Sequence, residues 1–159
     1  KKPISKLNIS WVGDSNNVLN SLIAASVKFS FNLNIGCPKN YEPKKFVLDW
    51  VKKNKRKINI FNNAKKAVEN SDVVFSDKVV SLNDKINKIN KIKNFNNYKI
   101  DSKLMSFAKK DAIFLHCLPR GSEVSDKVFL GEQSKVWQQA LNRVYVQKSI
   151  LLYCFDKLR

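Results

Sequence analysis

The chain has 159 residues, of which 43% are hydrophobic and 11% aromatic, enough to bury the core of about one domain and to exclude global disorder. Its formal net charge is +17, from 30 basic and 13 acidic residues. No apolar run approaches the roughly 18 residues of a membrane span, and the first residues lack the apolar region of a secretory signal, so we expect neither.

The positive charge comes mainly from lysine: the sequence has 26 Lys and 4 Arg, together with 19 Asn. Proteins that read nucleic-acid grooves depend on Arg, whose planar fork pairs with guanine and phosphate. The composition therefore indicates drift in an AT-rich genome and disfavours nucleic acid as a partner. Residues 44–110, with 18 basic and 6 acidic residues, keep a non-catalytic module that binds RNA or an acidic partner as an alternative. Steep loss of binding with salt would identify such a module.

The cysteines are Cys37, Cys117 and Cys154, an odd number at wide spacing. This pattern predicts neither a disulfide framework nor a metal site, and it indicates a reducing compartment. We expect a cytoplasmic protein, or one of the mitochondrial matrix in a eukaryote.

Strand and helix patterns alternate along the chain. The predicted strands are 7–13, 33–37, 58–61, 72–77 and 112–118. The predicted helices are 18–31, one opened by Pro43, 63–70, 83–97, one from Asp101 or Ser102 to Lys110, and 141–155.

This alternation predicts one α/β domain over residues 1–159, with three layers and a mainly parallel, Rossmann-like five-stranded sheet. Ligands of such sheets lie beyond the carboxyl ends of the strands. That rule selects three segments, 14–17, 77–82 and 116–120.

Each segment has a structural and a functional interpretation. The helix start after Gly13 can bind a carboxylate, or its polar residues can simply cap the helix. Asp77 can hold an ammonium group or cap the segment that follows. Cys117 can be a buried small hydrophobe or a thiol in a polar cleft, and His116, the only histidine, is more often a structural hydrogen bonder than a catalyst in such a place.

Taken together, the three segments resemble a known family, the ornithine carbamoyltransferases, in their second, ornithine-binding domain. Residues 11–18 (WVGDSNNV) resemble W-[IV]-G-D-G-N-N-[IV], and 114–120 (FLHCLPR) match F-[LM]-H-C-L-P-R throughout. Residues 38–43 (PKNYEP) resemble P-x-G-Y-E-P, and 140–143 (ALNR) resemble the end of E-A-E-N-R. The H-C-L-P-R form favours the ornithine branch over the aspartate branch, which carries H-P-L-P-R.

The resemblance implies contacts with the α-carbon groups of ornithine. Asn17 would hold the α-carboxylate. Asp77 and Ser81 would hold the α-amino group, with Leu82 contributing its backbone.

It also implies a reaction, the attack of the neutral ornithine δ-amine on carbamoyl phosphate to give citrulline and phosphate, a step of arginine biosynthesis and the urea cycle. Cys117 and the Leu118 carbonyl would lie beside the δ-amine and the carbamoyl nitrogen. Arg143 would polarise the carbamoyl oxygen, so that Cys117, Arg143 and Asp77 form the catalytic set. No cofactor and no metal are implied.

The sequence departs from the family pattern in three respects. Both acids of E-A-E-N-R are replaced, by Gln139 and Leu141. Val79, Leu82 and Asn83 replace the Trp, Met and Gly of D-x-W-x-S-M-G, which keeps another amine acceptor, such as putrescine or an acylated ornithine, as an alternative. The S-x-R-T and H-P-x-Q motifs of the family's first domain are absent from the sequence. We therefore expect a carbamoyl-phosphate-binding domain or chain as a partner, little activity without it, and a trimer in the complete enzyme.

Overall fold

The computed structural model describes residues 2–80 and 88–155, except for the side chain of Lys88. Its strands form one sheet in the order β3-β2-β1-β4-β5, in which all neighbours pair in parallel. The strands are β1 Asn8–Val12, β2 Asn32–Gly36, β3 Asn59–Phe61, β4 Val73–Ser76 and β5 Ile113–His116. The prediction of a parallel five-stranded α/β sheet is confirmed.

Helices alternate with these strands. They are α1 Asn17–Phe29, α2 Lys45–Lys53, α3 Ala64–Val68, α4 Lys88–Asn94, α5 Ser102–Met105, α6 Asp126–Phe129 and α7 Val136–Cys154. Within the described part of the chain, no helix is long and apolar enough to cross a membrane.

Two hydrophobic clusters cover the two faces of the sheet, which gives the three predicted layers. Trp11 of β1 lies in the cluster that includes α1 and α2, while the next residue, Val12, lies in the cluster that includes α3, α5 and α6. Successive side chains of a strand point to opposite faces, so one strand supplies both cores.

The turn from β1 to α1 is determined locally. Gly13 has a φ of +151°, a backbone conformation that residues with a side chain rarely adopt. Asn16 then caps α1, because its side-chain oxygen accepts hydrogen bonds from the backbone N–H groups of Val18 and Leu19.

Several predicted boundaries are wrong. The helix predicted over 83–97 ends at Asn94 in the structure, and its residues 83–87 lie outside the described part of the chain. The helix expected to reach Lys110 ends at Met105, because the chain beyond it bonds to the turn before β4: Asn70 N donates to the Phe107 carbonyl and Lys109 N to the Ser71 carbonyl. Strand β5 ends at His116, so residues 117 and 118 lie in the following loop.

The last helix begins at Val136, five residues before the predicted start, and Arg143 lies in its second turn. Its only buried residue is Val136. The rest of α7 exposes large apolar side chains to solvent: Trp137, Leu141, Val144, Tyr145, Val146, Ile150, Leu151, Leu152 and Tyr153. Short α6 was not predicted.

Candidate functional site

The described parts of the three segments selected from the sequence, 14–17, 77–80 and 116–120, lie at one edge of the sheet. β4 pairs with β1 on one side and with β5 on the other. The strand order reverses direction between β1 and β4, so this edge is the switch point of the fold, where open α/β sheets bind ligands.

Asp77 and the β1–α1 turn are in direct contact. The Asn16 amide nitrogen donates a hydrogen bond to Asp77 Oδ2 at 2.7 Å, while the Asn16 oxygen caps α1. Asp77 is partly buried, and it makes no ion pair within the described residues. Its carboxylate is therefore oriented by a neighbouring amide and, among the residues that the structure describes, is not compensated by a cation.

Asp14, the other acid of this turn, is compensated. Lys91 Nζ lies 2.6 Å from Asp14 Oδ2, and the Lys91 side chain is only 6% exposed. A buried lysine is stable only when it is paired, so this ion pair fixes α4 against the end of β1.

His116, at the end of β5, is fully buried between two acceptors. Its Nδ1 bonds to the Cys117 carbonyl at 2.6 Å, and its Nε2 lies 3.2 Å from Glu123 Oε1 at an ion-pair distance. Burial by itself lowers the pKa of the imidazole, but the contacts with Cys117 and Glu123 outweigh it and raise the pKa of His116 to about 10. With this pKa, the buried His116 side chain is an imidazolium at neutral pH.

Glu123 is the partner that makes this charge possible. Its carboxylate accepts hydrogen bonds from the Gly121 N–H and, at 3.5 Å, from the Val79 N–H. Burial opposes ionisation, yet the contacts with His116 and Gly121 lower the pKa of Glu123 below its usual value. One buried carboxylate thus joins the loop after β4 to the loop after β5.

The remaining predicted substrate contacts at this edge are accessible. Asn17 is the exposed first residue of α1, Cys117 is half-buried, and the Leu118 side chain is exposed before a cis peptide bond to Pro119. Ser81 and Leu82 lie outside the described residues. The structure therefore places Asn17, Asp77, Cys117 and Leu118 at the ends of β1, β4 and β5.

Arg143 is exposed, and within the described residues it makes no hydrogen bond or ion pair. Its helix nevertheless passes the end of β5, because Gln139 Oε1 accepts a hydrogen bond from His116 N at 3.1 Å. Residues four apart lie on the same side of a helix, so Arg143 follows Gln139 one turn further along this side.

Asn16, Lys91 and Glu123 shape the site but were not predicted as site residues. Asn16 belongs to the motif at residues 11–18, but the carboxylate contact was predicted for the neighbouring Asn17. Glu123 had one usable signal, an acid in the loop that follows the lone histidine. Nothing in the lysine-rich sequence distinguishes Lys91 from its neighbours. No group of three or more His, Cys, Asp or Glu residues that could hold a metal ion is present among residues 2–80 and 88–155.

An all-parallel α/β sheet with polar side chains at its switch point defines the class, a Rossmann-like ligand-binding domain. Residues 5–154 match the family described as "Aspartate/ornithine carbamoyltransferase, Asp/Orn binding domain", and the chain belongs to this family.

Its relatives include two curated bacterial ornithine carbamoyltransferases. The chain is 42% identical to that of Bradyrhizobium diazoefficiens over 161 aligned residues, which cover 99% of this chain and 52% of the relative. It is 44% identical to that of Rhodopseudomonas palustris over 156 residues, covering 96% and 49%. The chain thus spans about half the length of the curated relatives it matches.

Solved structures agree. The anabolic ornithine carbamoyltransferase of Campylobacter jejuni superposes with a TM-score of 0.87 at 34% identity, covering 97% of this chain and 53% of that one. The ornithine carbamoyltransferase of Pyrococcus furiosus gives a TM-score of 0.85 at 33% identity, covering 94% and 50%.

Proposed function

We propose that the chain is the ornithine-binding part of an ornithine carbamoyltransferase, which converts carbamoyl phosphate and ornithine to citrulline and phosphate. The observation that carries this proposal is the carboxylate of Asp77, which Asn16 orients and which has no ion pair among the described residues. Asn17 follows Asn16 in the chain, and the Cys117 loop follows the neighbouring strand β5. An α-amino acid with a second amine needs such a set: a donor for its carboxylate, an anion for its ammonium group and a polar place for the reacting amine.

In this proposal the α-carbon of ornithine is held at the end of β1. The Asn17 amide donates to the α-carboxylate, and Asp77 accepts from the α-ammonium group with help from Ser81 and the Leu82 backbone. Hydrogen bonds to charged groups are each worth about 1.5–3 kcal/mol, which is enough to select the amino acid over its amine.

The δ-amine then points to the β5 loop. The Cys117 thiol and the Leu118 carbonyl orient the neutral amine, whose nitrogen attacks the carbonyl carbon of carbamoyl phosphate. The C–N bond forms, the C–O bond to phosphate breaks, and the proton lost by the amine leaves with the phosphate. Arg143 stabilises the oxyanion that develops on the carbamoyl oxygen, an interaction typically worth a few kcal/mol.

The phosphate group requires residues beyond this domain. Helix α7, about 28 Å long at 1.5 Å per residue, exposes aromatic and aliphatic side chains along nearly its whole length. Exposed apolar area of this extent is typical of a surface that another part of an assembly covers. We propose that the covering part is the carbamoyl-phosphate-binding half of the relatives, on the same or a separate chain, and that the complete enzyme is a trimer. The cytoplasmic or mitochondrial location stays a prediction.

A different amine acceptor is the second candidate. Val79 is buried where the family motif has the larger Trp, and in this second candidate that position would form part of the wall of the acceptor site. A smaller wall would admit a bulkier acceptor such as an acylated ornithine. Putrescine has no carboxylate for Asn17 to hold, so a preference for putrescine would require that Asn17 contribute nothing to binding.

The proposal is tested by citrulline formation. The chain is assayed alone, mixed with the phosphate-binding half of the Campylobacter jejuni relative, and fused behind that half, with the half alone as control. We expect turnover only in the mixture or fusion, with ornithine preferred over putrescine and N-acetylornithine. Robust turnover by the isolated chain would contradict the need for a partner, and an inactive fusion whose chain binds no ornithine would contradict the function.

The substrate contacts are tested in the active fusion. Asn17→Ala should weaken ornithine binding but hardly change putrescine binding, because putrescine has no carboxylate. Asp77→Asn keeps the shape and removes the charge, and we expect it to weaken ornithine by about 1.5–3 kcal/mol in calorimetric titration. Equal losses for both amines in Asn17→Ala would remove its carboxylate role.

A further inference from the structure

The Asn16 side chain uses both ends of its amide. Its Oδ1 accepts from the backbone N–H groups of Val18 at 3.0 Å and Leu19 at 3.1 Å, and its Nδ2 donates to Asp77 Oδ2 at 2.7 Å. The first turn of α1 therefore fixes the plane of the amide, and the amide in turn fixes the carboxylate.

A helix cap alone does not require this arrangement. Ser, Asp and Asn cap helices about equally well, because the cap needs only an acceptor oxygen. Asn63 caps α3 through its Oδ1 alone, and within the described residues its amide nitrogen has no hydrogen-bond partner. What distinguishes Asn16 is its N–H donor and the charged group that receives it.

We propose that Asn16 is the positioning residue for Asp77 and thereby sets the selectivity of this site for α-amino acids. This inference rests on the proposed function and deepens it. By holding Oδ2 of Asp77, Asn16 leaves Oδ1 directed to the ligand's ammonium group.

The geometry of the turn explains why this produces selectivity. Asn16 and Asn17 are consecutive, so their Cα atoms lie about 3.8 Å apart. Asn16 holds the Asp77 carboxylate, which binds the ammonium group of the ligand. Asn17 presents its amide to the carboxylate of the ligand. An α-amino acid carries both groups on one carbon, which matches this short separation.

The competing carboxylate of the same turn is already occupied. Asp14 pairs with Lys91 at 2.6 Å, so its charge is compensated from α4. The ammonium group of a ligand is therefore directed to Asp77.

The test uses two variants that keep the cap and lose the donor, Asn16→Ser and Asn16→Asp. The matched controls are Asn63→Ser and Asn63→Asp, the same changes at a cap with no carboxylate partner among the described residues. Calorimetry on the fusion compares ornithine with 5-aminopentanoate, which has the carboxylate and the reacting amine but no α-ammonium group.

We expect both Asn16 variants to weaken ornithine by about 10-fold or more, the range for a hydrogen bond to a charged group, and 5-aminopentanoate by less than about 2-fold. The Asn63 controls should change neither ligand. Unchanged ornithine affinity, or equal losses for the two ligands, would overturn the inference, because a cap with only a structural role affects both alike.

A second arm needs no ligand. Thermal unfolding of Asn16→Ser, Asp77→Ala and the double variant should show coupling, with the combined loss in Tm smaller than the sum by about 2 °C or more. Asn63→Ser with Asp77→Ala should be additive. If the Tm losses of Asn16→Ser and Asp77→Ala simply add, the positioning role is overturned, whatever the ornithine affinities of the variants. Coupling in a fusion that binds no ornithine would instead overturn both the proposed function and the selectivity that depends on it.

Discussion

Replacing Glu123 by Gln tests the buried ion pair that joins the β4 and β5 loops. The change keeps the side-chain shape and removes the negative charge that lies 3.2 Å from His116 Nε2. Both side chains are at most 6% exposed, so water cannot replace the lost partner. Without the carboxylate, burial disfavours the imidazolium, and the pKa of His116 should fall.

The sign of the effect follows from the two pKa shifts. The pKa of His116 is raised from 6.5 to about 10, so its contribution to stability is complete below pH 6.5 and is lost as pH rises through about 10. The pKa of Glu123 is lowered from 4.5, so its contribution is complete above pH 4.5 and is lost as the solution becomes more acidic than that. The pair therefore stabilises most between about pH 4.5 and 6.5.

A tenfold change in the proton affinity of a group corresponds to about 1.4 kcal/mol. Between pH 6.5 and 8.5 the unsubstituted protein should therefore lose roughly 2–3 kcal/mol of stability from this group. His116 is the single histidine of the chain, so no other histidine contributes to the slope.

The assay is urea unfolding at pH 6.0 and 8.5. Glu123→Gln should reduce the free energy of unfolding by about 3–5 kcal/mol at pH 6.0, the range for removing one partner of a buried pair. It should reduce it much less at pH 8.5, which flattens the slope. Asp126→Asn is the control, because Asp126, the first residue of α6, pairs with Arg120 of the β5 loop but is 77% exposed, and exposed pairs contribute little. An unchanged slope in Glu123→Gln would refute the reasoning.

Three further predictions concern other parts of the molecule. Burial raises the pKa of Cys37 to about 12, so at pH 8 iodoacetamide should modify exposed Cys154 readily and Cys37 only after unfolding, as mass spectrometry of the peptides would show. Burial opposes ionisation of Asp72, but hydrogen bonds from Asn8, Lys109 and Lys2 lower its pKa to about 2. Asp72→Asn should reduce the free energy of unfolding by roughly 1–2 kcal/mol at pH 7, as measured by urea unfolding. This difference should shrink as the pH falls from 3.8 towards 2. Arg143→Ala should cut turnover of the fusion by about 10²-fold or more without changing its Tm, whereas an unchanged rate would leave Arg143 as a surface charge.

The sequence by itself determined the order of elements and the edge at which the site lies. Strands such as 72–77 are short, apolar and bounded by polar residues, and the helices between them have apolar faces. The spacing of the apolar residues and the polar residues at the element ends therefore suffice to predict a parallel sheet. The rule that ligands bind at carboxyl ends then places Asn17, Asp77 and Cys117 together without any coordinates. These features depend on neighbours along the chain.

Tertiary structure decided where elements stop and which polar groups pair. The helix after Asp101 ends early because its backbone finds partners in the turn before β4, and α7 begins early because Val136 is buried against the sheet. Asn16 with Asp77 and His116 with Glu123 are pairs formed across separate elements or loops. Their energies come from desolvation and from distances of about 3 Å, which depend on how the strands pack and which no pattern along the sequence contains.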